Sequence, residues 1–221
     1  MMPFKHDVHL SAFRILPATV KSIEQVGFAR DEFANNTRCL ASAYHGTYRG
    51  KAKLPDNALW EQVCQILTAD PSFRGCLEEE SIDPEYDREI SGSGAVDPGP
   101  LPAFEIMEVP AGQHKACDLH VGVNLTLSAP TAVEHLSRLQ VASFDKPIPE
   151  GIRRVFTITC ETIADGKSLF DVLYRHLSRV PGLRGKMKLE TTTRFLRLPD
   201  DAPALPITTK KMVGDWLAAS K

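Results

Sequence analysis

Two pairs of acidic and basic side chains are the first candidates for chemistry: Asp7 with His9, and Asp118 with His120. One residue separates the members of each pair, and residues two apart in a strand point to the same face. A carboxylate beside an imidazole orients the ring and raises its basicity, which serves general acid–base catalysis near neutral pH. The alternative interpretation is a polar strand face that is simply exposed to solvent.

The residues around both pairs predict the strands that would position them. Residues 7–13 and 117–125 alternate between polar and apolar types, which is typical of half-buried strands. The apolar positions, which should face helices, are Val8, Leu10, Ala12, Leu119, Val121, Val123 and Leu125. The two histidines and their aspartates then lie on the opposite, open face.

Positive charge is predicted on the same open face as His120. In the stretch KMKLETTTRFL, Lys186, Lys188, Glu190 and Arg194 share one strand face, and three of these four residues are basic. Two lysines and an arginine beside a histidine suit a phosphate, whereas the alternative is a solvated strand face. Glu161, at the end of the preceding predicted strand, is a further candidate as a second carboxylate on this face, together with the hydroxyls of Thr157 and Thr159.

An internal repeat relates the two halves of the chain. Residues 59–80 align with residues 169–190 at an offset of 110, which places Arg74-Gly75 on Arg184-Gly185. The two aspartate and histidine pairs align at an offset of 111, in the same order along the chain. A period this long indicates two fused units of domain size rather than a solenoid of short repeats.

Each copy of the repeat is predicted to run β-α-β-β-α-β. The first copy has strands 7–15, 38–46 and 73–81 and helices 18–27 and 57–69, and its remaining strand is not located. The second copy has strands 117–125, 140–148, 153–162 and 186–196 and helices 131–139 and 165–179. This order resembles the ferredoxin-like fold, in which two helices cover one face of an antiparallel sheet.

The predicted fold class is therefore α+β, with two tandem ferredoxin-like units related by internal duplication. The first unit spans residues 1–83, and an acidic connector rich in Gly, Pro and Ser spans 84–103. The second unit spans 104–221 and adds an edge strand at 104–110 and a C-terminal helix at 209–219.

Composition and charge exclude several classes of protein. A net charge of −2 and a pI near 6.4 argue against bulk DNA binding. We find no signal peptide and no apolar stretch of membrane-spanning length, so we expect a cytoplasmic protein with no membrane partner. The five cysteines are odd in number and scattered, which predicts free thiols. Nucleotide, zinc-protease and hydrolase motifs are missing, so no cofactor is predicted, and the oligomeric state stays open.

The strand motifs resemble those of the two-histidine phosphoesterases, in which each half of the protein supplies a His-x-Ser/Thr motif to one cleft. His9-Leu10-Ser11 fits the motif, whereas His120-Val121-Gly122 has glycine in place of the hydroxyl. The resemblance implies that His9 and His120 form an acid–base pair on a nucleotide or RNA phosphodiester, one acting as general base and the other as general acid. It also implies that Ser11 holds the phosphate, and Lys186, Lys188 or Thr126 would have to replace the missing hydroxyl.

Three other functions stay open from the sequence. The topology also resembles that of the tandem ferredoxin-like endoribonucleases that process CRISPR repeats, although this chain lacks their glycine-rich loop and basic charge. Asp7, His9, Asp118 and His120 could instead bind zinc, iron or manganese in a metal-dependent enzyme. A non-catalytic module that binds a small molecule or a protein is the remaining alternative.

Overall fold

The computed structural model describes residues 4–30, 42–50, 57–99, 101, 106–111, 116–137, 139, 141, 143–198 and 205–212. Within these ranges the chain is mixed α and β, with ten strands and four helices. Two compact units are present. The first unit comprises Met1–Pro84, Pro110–His114 and Thr192–Ile207, and the second comprises Glu85–Val109, Lys115–Thr191 and Thr208–Lys221.

The helices and strands follow one another in an order that can be given in two groups. The first eight are β1 (Phe4–Arg14), α1 (Pro17–Gln25), β2 (Ala29–Arg30), β3 (Ser42–Gly50), α2 (Asn57–Thr68), β4 (Arg74–Ser91), β5 (Ile106–Ala111) and β6 (Cys117–Asn124). The remaining six are α3 (Pro130–Ser137), β7 (Ser143–Ile148), β8 (Gly151–Cys160), α4 (Ile163–Leu177), β9 (Arg184–Leu198) and β10 (Leu205–Met212). The order β-α-β-β-α-β thus occurs twice, from β1 to β4 and from β6 to β9. Among the described residues, no helix is both long enough and apolar enough to cross a membrane.

In the first unit, four antiparallel strands are ordered β2-β3-β1-β4. The alternation in β1 is as predicted, because Val8, Leu10 and Ala12 are all buried. They form an apolar core with side chains from α1, α2, β4 and the neighbouring turns, namely Ile23, Phe28, Val63, Leu67, Phe73 and Leu77. The open face of β1 is thereby left for His9.

In the second unit, the corresponding antiparallel order is β7-β8-β6-β9. Leu119, Val121 and Val123 of β6 are fully buried, as the alternation predicts. They pack with the apolar face of α4, which contributes Leu169, Phe170, Leu173 and Leu177. The hydroxyl of Thr162 caps this helix by accepting a hydrogen bond from the amide of Asp165. The core therefore fixes which side of β6 carries His120.

The segment predicted as a connector begins with regular structure. β4 continues to Ser91, so residues 82–91 form a strand, whereas 92–99 have no helix or strand. The loop prediction for 82–91 was wrong because Tyr86 and Ile90 pack against the apolar core of the second unit. Tertiary packing outweighs the local signal of Pro84 and the acidic residues around it.

The C-terminal prediction was also wrong where the structure describes it. Residues 205–212 form β10, which pairs in parallel with β8 by placing Lys210 opposite Ile158. The β-branched run Ile207-Thr208-Thr209 favours a strand over the predicted helix, and residues 213–221 lie outside the described ranges. The strand that the sequence did not locate is β2, which has only two residues.

Four cysteines lie in described parts of the chain. Cys64, Cys76, Cys117 and Cys160 are free thiols, and Cys39 falls outside the described residues. Cys117 and Cys160 lie directly opposite each other on β6 and β8 and are buried.

Candidate functional site

His120 of the second unit lies on β6 between two paired strands. Its register partners are Thr157 on β8 and Lys188 on β9. The ring Nε2 lies 2.6 Å from Oε2 of Glu190, and the ring Nδ1 lies 3.0 Å from Oγ1 of Thr157. The His120 side chain is 14% exposed and that of Glu190 is 3% exposed. Both ring nitrogens therefore have polar partners, and the imidazole is held in one orientation.

The carboxylate of Glu190 is the buried charge of this site. A buried carboxylate is costly unless charged or hydrogen-bonding groups compensate it. Glu190 contacts both the imidazole of His120 and the ammonium group of Lys188. The site thus joins a carboxylate, an imidazole and, through Nδ1, the hydroxyl of Thr157.

His9 of the first unit has a similar partner. Its register partners are His45 on β3 and Glu78 on β4. Its Nε2 lies 3.4 Å from Oε2 of Glu80, a side chain that is 4% exposed, while the His9 side chain is 38% exposed. Each unit therefore contains a histidine whose Nε2 meets a buried glutamate.

The two histidine–glutamate pairs occupy the same register. Asp7 lies opposite Glu80 in the first unit, and Asp118 lies opposite Glu190 in the second. In both units the glutamate is thus two residues beyond the residue that faces the histidine. The internal repeat in the sequence already aligns Glu80 with Glu190. The strand pairing that brings these two glutamates to the histidines could not be obtained from one sequence.

The predicted aspartates have a different place from the glutamates. Asp118 is 4% exposed, and its Oδ1 accepts a hydrogen bond of 2.6 Å from Oγ1 of Thr159. The carboxylate that the structure places at Nε2 of His120 is that of Glu190. The side chain of Asp7 lies outside the described residues, so its predicted role is untested.

The predicted phosphate-binding lysines both lie in the second unit with His120. The Nζ of Lys186 is 2.7 Å from Oδ1 of Asp87, and Lys188 contacts Glu190. Arg194 belongs to the first unit, where its Nε lies 3.3 Å from Oε2 of Glu79.

The other two predicted binding residues lie one in each unit. Ser11 is half-buried on β1, two residues after His9. Glu161 is exposed in the turn between β8 and α4. Thr157, which was predicted on the open face together with Thr159, lies against the ring of His120.

The arrangement is suited to proton transfer. A glutamate, an imidazole and a hydroxyl in sequence can accept a proton at one end and deliver it at the other. Its function has to be derived from this chemistry, since comparisons of the chain with protein-family models, with curated proteins and with solved structures find no match.

Proposed function

We propose that the chain is a phosphodiesterase that uses His9 and His120 as an acid–base pair on a nucleotide or RNA phosphodiester. The observation that supports this most directly is the recurrence of a histidine with Nε2 against a buried glutamate, at the same register in both units. Cleavage of a phosphodiester needs one group to take a proton and another to give one. Two histidines in different environments supply both.

The environments assign the two roles. His120 is mostly buried and its Nε2 lies 2.6 Å from Oε2 of Glu190, so the carboxylate orients the ring and we assign His120 as the general acid. His9 is 38% exposed and its Nε2 lies 3.4 Å from Oε2 of Glu80, so its ring is more open to solvent and its contact with the carboxylate is longer. His9 is therefore assigned as the general base.

Thr157 gives His120 a route to the substrate. Glu190 occupies Nε2, which leaves Nδ1 and its hydroxyl partner Thr157 to deliver the proton. A hydroxyl donates one hydrogen bond and accepts others, so it can pass a proton from Nδ1 to a leaving oxygen. Thr157 thus serves as a proton relay in the proposed reaction.

We also propose that the two units are ferredoxin-like and arose by duplication. The strand orders β2-β3-β1-β4 and β7-β8-β6-β9 correspond element by element. A Cβ atom at Gly75 would collide with the carbonyl oxygen of Ser11, and one at Gly185 with that of Gly122. Each carbonyl belongs to the residue two positions after the histidine, which supports equivalence beyond topology.

The assay compares the wild type with His9→Gln and His120→Gln on a panel of cyclic and linear phosphodiesters, with and without chelator. Each substitution should lower turnover by roughly 10²- to 10⁴-fold, because general acid–base catalysis contributes about that much. His176→Gln is the matched control, because this histidine lies on α4 and contacts the carbonyl oxygen of Gly99. Its turnover should stay near that of the wild type.

Two outcomes would contradict the proposal. A wild-type protein inactive on the whole panel would favour the non-catalytic binding module. Activity abolished by the chelator would assign the histidines and glutamates to metal binding instead of proton transfer.

A further inference from the structure

The missing hydroxyl at Gly122 has a structural explanation. Gly122 lies two residues after His120, so a side chain there would share its face of β6. A Cβ atom at Gly122 would be 2.7 Å from Cδ and 3.1 Å from Cγ of Arg153. The methylene groups of Arg153 therefore occupy the space that a serine or threonine at position 122 would fill.

Arg153 is held in this position from both ends. Its backbone lies opposite Asn124 in the pairing of β6 with β8, and its Nε donates a hydrogen bond of 2.6 Å to Oδ1 of Asn124. Its Nη2 lies 3.9 Å from Oε2 of Glu89 on β4, and the side chain is 19% exposed. The guanidinium thus crosses β6 on the face that carries His120.

A second cation lies close to the same carboxylate. Lys186 faces Gly122 across the pairing of β6 with β9. Its Nζ is 4.0 Å from Oε1 of Glu89, in addition to its closer contact with Asp87. The exposed carboxylate of Glu89 therefore bridges Arg153 and Lys186 through two long ion-pair contacts.

The bridging carboxylate of Glu89 indicates which kind of ligand the two cations would bind. Glu89 is 67% exposed, and exposed ion pairs of this kind contribute little free energy. A phosphate carries more charge and more acceptor oxygens than a carboxylate, and a guanidinium fork matches two of them. A phosphate can therefore displace Glu89 from Arg153 and Lys186.

We infer that Arg153 and Lys186 form an anion site that binds the phosphate group of the substrate and replaces the hydroxyl that position 122 lacks. The assignment of the anion as substrate rests on the proposed phosphodiesterase function. The binding of a phosphate at this place is independent of that function, because it follows from the two cations, the bridging carboxylate and the passage of the Arg153 side chain over Gly122.

The test is titration of the wild type and of Arg153→Gln with inorganic phosphate, followed by calorimetry. Arg153→Gln should weaken phosphate binding roughly 10- to 100-fold, the range expected for one charge-assisted hydrogen-bonded group. The matched control is Arg154→Gln, because Arg154 is the next residue on β8 and its guanidinium pairs with Asp145 at 2.8 and 3.0 Å. Its phosphate affinity should stay within about twofold of the wild type.

A third variant excludes loss of folding as the explanation. Glu89→Gln removes the resident counter-charge, so phosphate should bind several-fold more tightly, which an unfolded protein could not show. Equal phosphate affinity in Arg153→Gln and Arg154→Gln would overturn the anion site, and so would a wild type that binds no phosphate.

The two proposals fail separately. Phosphate binding that depends on Arg153, in a protein that cleaves none of the phosphodiesters, would retain the anion site and reject the phosphodiesterase. Cleavage with unchanged KM and phosphate affinity in Arg153→Gln would do the reverse.

Discussion

The first and second units share a backbone plan but surround their histidines differently. In the first unit the strand that pairs with the histidine strand carries Cys76 and Glu78 where the second unit carries Lys186 and Lys188. His9 is also more exposed than His120 and farther from its glutamate. The histidine–glutamate pair has the same strand register in both units. The residues at the neighbouring positions of the paired strand determine whether an anion is attracted.

The difference in charge separates the proposed roles. Glu78 accepts a hydrogen bond from the hydroxyl of Thr192 and adds negative charge beside His9. Lys188 instead adds positive charge beside Glu190 and His120. The proposed phosphate contact is therefore assigned to the second unit, and the first unit supplies the proposed base, His9.

The largest expected effect concerns the two glutamates. Glu190→Gln should lower kcat by roughly 10²- to 10³-fold, because the amide no longer offers a carboxylate that orients the ring of His120 for acid–base catalysis. Glu80→Gln should lower kcat only about 10-fold, since the 3.4 Å contact and the exposure of His9 make its carboxylate less decisive. Steady-state kinetics on any phosphodiester that the wild type cleaves would measure both.

The control for that comparison is Glu85→Gln, an exposed carboxylate on β4. Its kcat should match that of the wild type. Equal losses in Glu80→Gln and Glu190→Gln would show that the two histidines are not specialised, and a larger loss in Glu80→Gln would reverse the acid and base assignments.

A stability comparison would test the equivalence of the two units directly. Gly75→Ala and Gly185→Ala should each lower the free energy of unfolding by ~3 kcal/mol, because the added methyl meets a backbone carbonyl on the paired strand. Gly99→Ala is the contrast, since its φ of +82° is strained for alanine but nothing lies within 4 Å of the added carbon. Its cost should be ~1 kcal/mol.

Denaturant unfolding of the three variants gives the free energies. Similar costs at Gly75 and Gly185 would support duplication of the close approach to the histidine strand. A cost at either position no larger than that at Gly99 would show that the strand approach differs between the units.

Much of the local structure was predictable because it depends on periodicity. The alternation of Val8 and Leu10 in β1, and of Leu119 and Val121 in β6, determined which face is buried. The helix pattern from Leu169 onward likewise predicted the apolar face of α4. Burial of alternate side chains is a local property, so one sequence is enough to predict it.

The parts that failed depend on partners distant in sequence. The composition of residues 82–91 is typical of a loop, but they form a strand in which Tyr86 and Ile90 pack against the core of the second unit. Glu190 was aligned with Glu80 but not assigned to His120, because the register of β6 with β9 sets that contact. Arg153 belongs to no sequence motif, and its proposed role follows only from the passage of its side chain over Gly122.

The smallest expected effect concerns how the first helix of each unit begins. The residue before the first-turn proline is Leu16 in one unit and Ala129 in the other. The Leu16 amide donates a hydrogen bond to Oδ2 of Asp70, whereas the Ala129 amide donates to the carbonyl oxygen of Gly182. Only the first unit therefore uses a titratable group at this helix start.

The pH dependence of Asp70 follows from its surroundings. Burial alone would raise the pKa of its carboxyl, but hydrogen bonds from Leu16, Ser72 and Thr19 outweigh burial and lower the pKa to about 2. The unfolded value is about 3.9, so the stabilisation is complete above that pH and is lost as the pH falls from about 4 towards 2. The corresponding contact in the second unit should not respond to acid over this range.

Asp70→Asn sharpens this last contrast. At pH 7 it should lower the free energy of unfolding by ~1 kcal/mol, the typical cost of losing a helix-capping carboxylate. Because protonation removes the same charge from the wild type, the difference between the two proteins should shrink from pH 4 to pH 2. Glu24→Gln, at an exposed position of α1, is the control and should leave the stability nearly unchanged. A difference between wild type and Asp70→Asn that stays constant down to pH 2 would show that the charge of Asp70 does not stabilise the start of α1, and that the two units do not differ in their response to acid there.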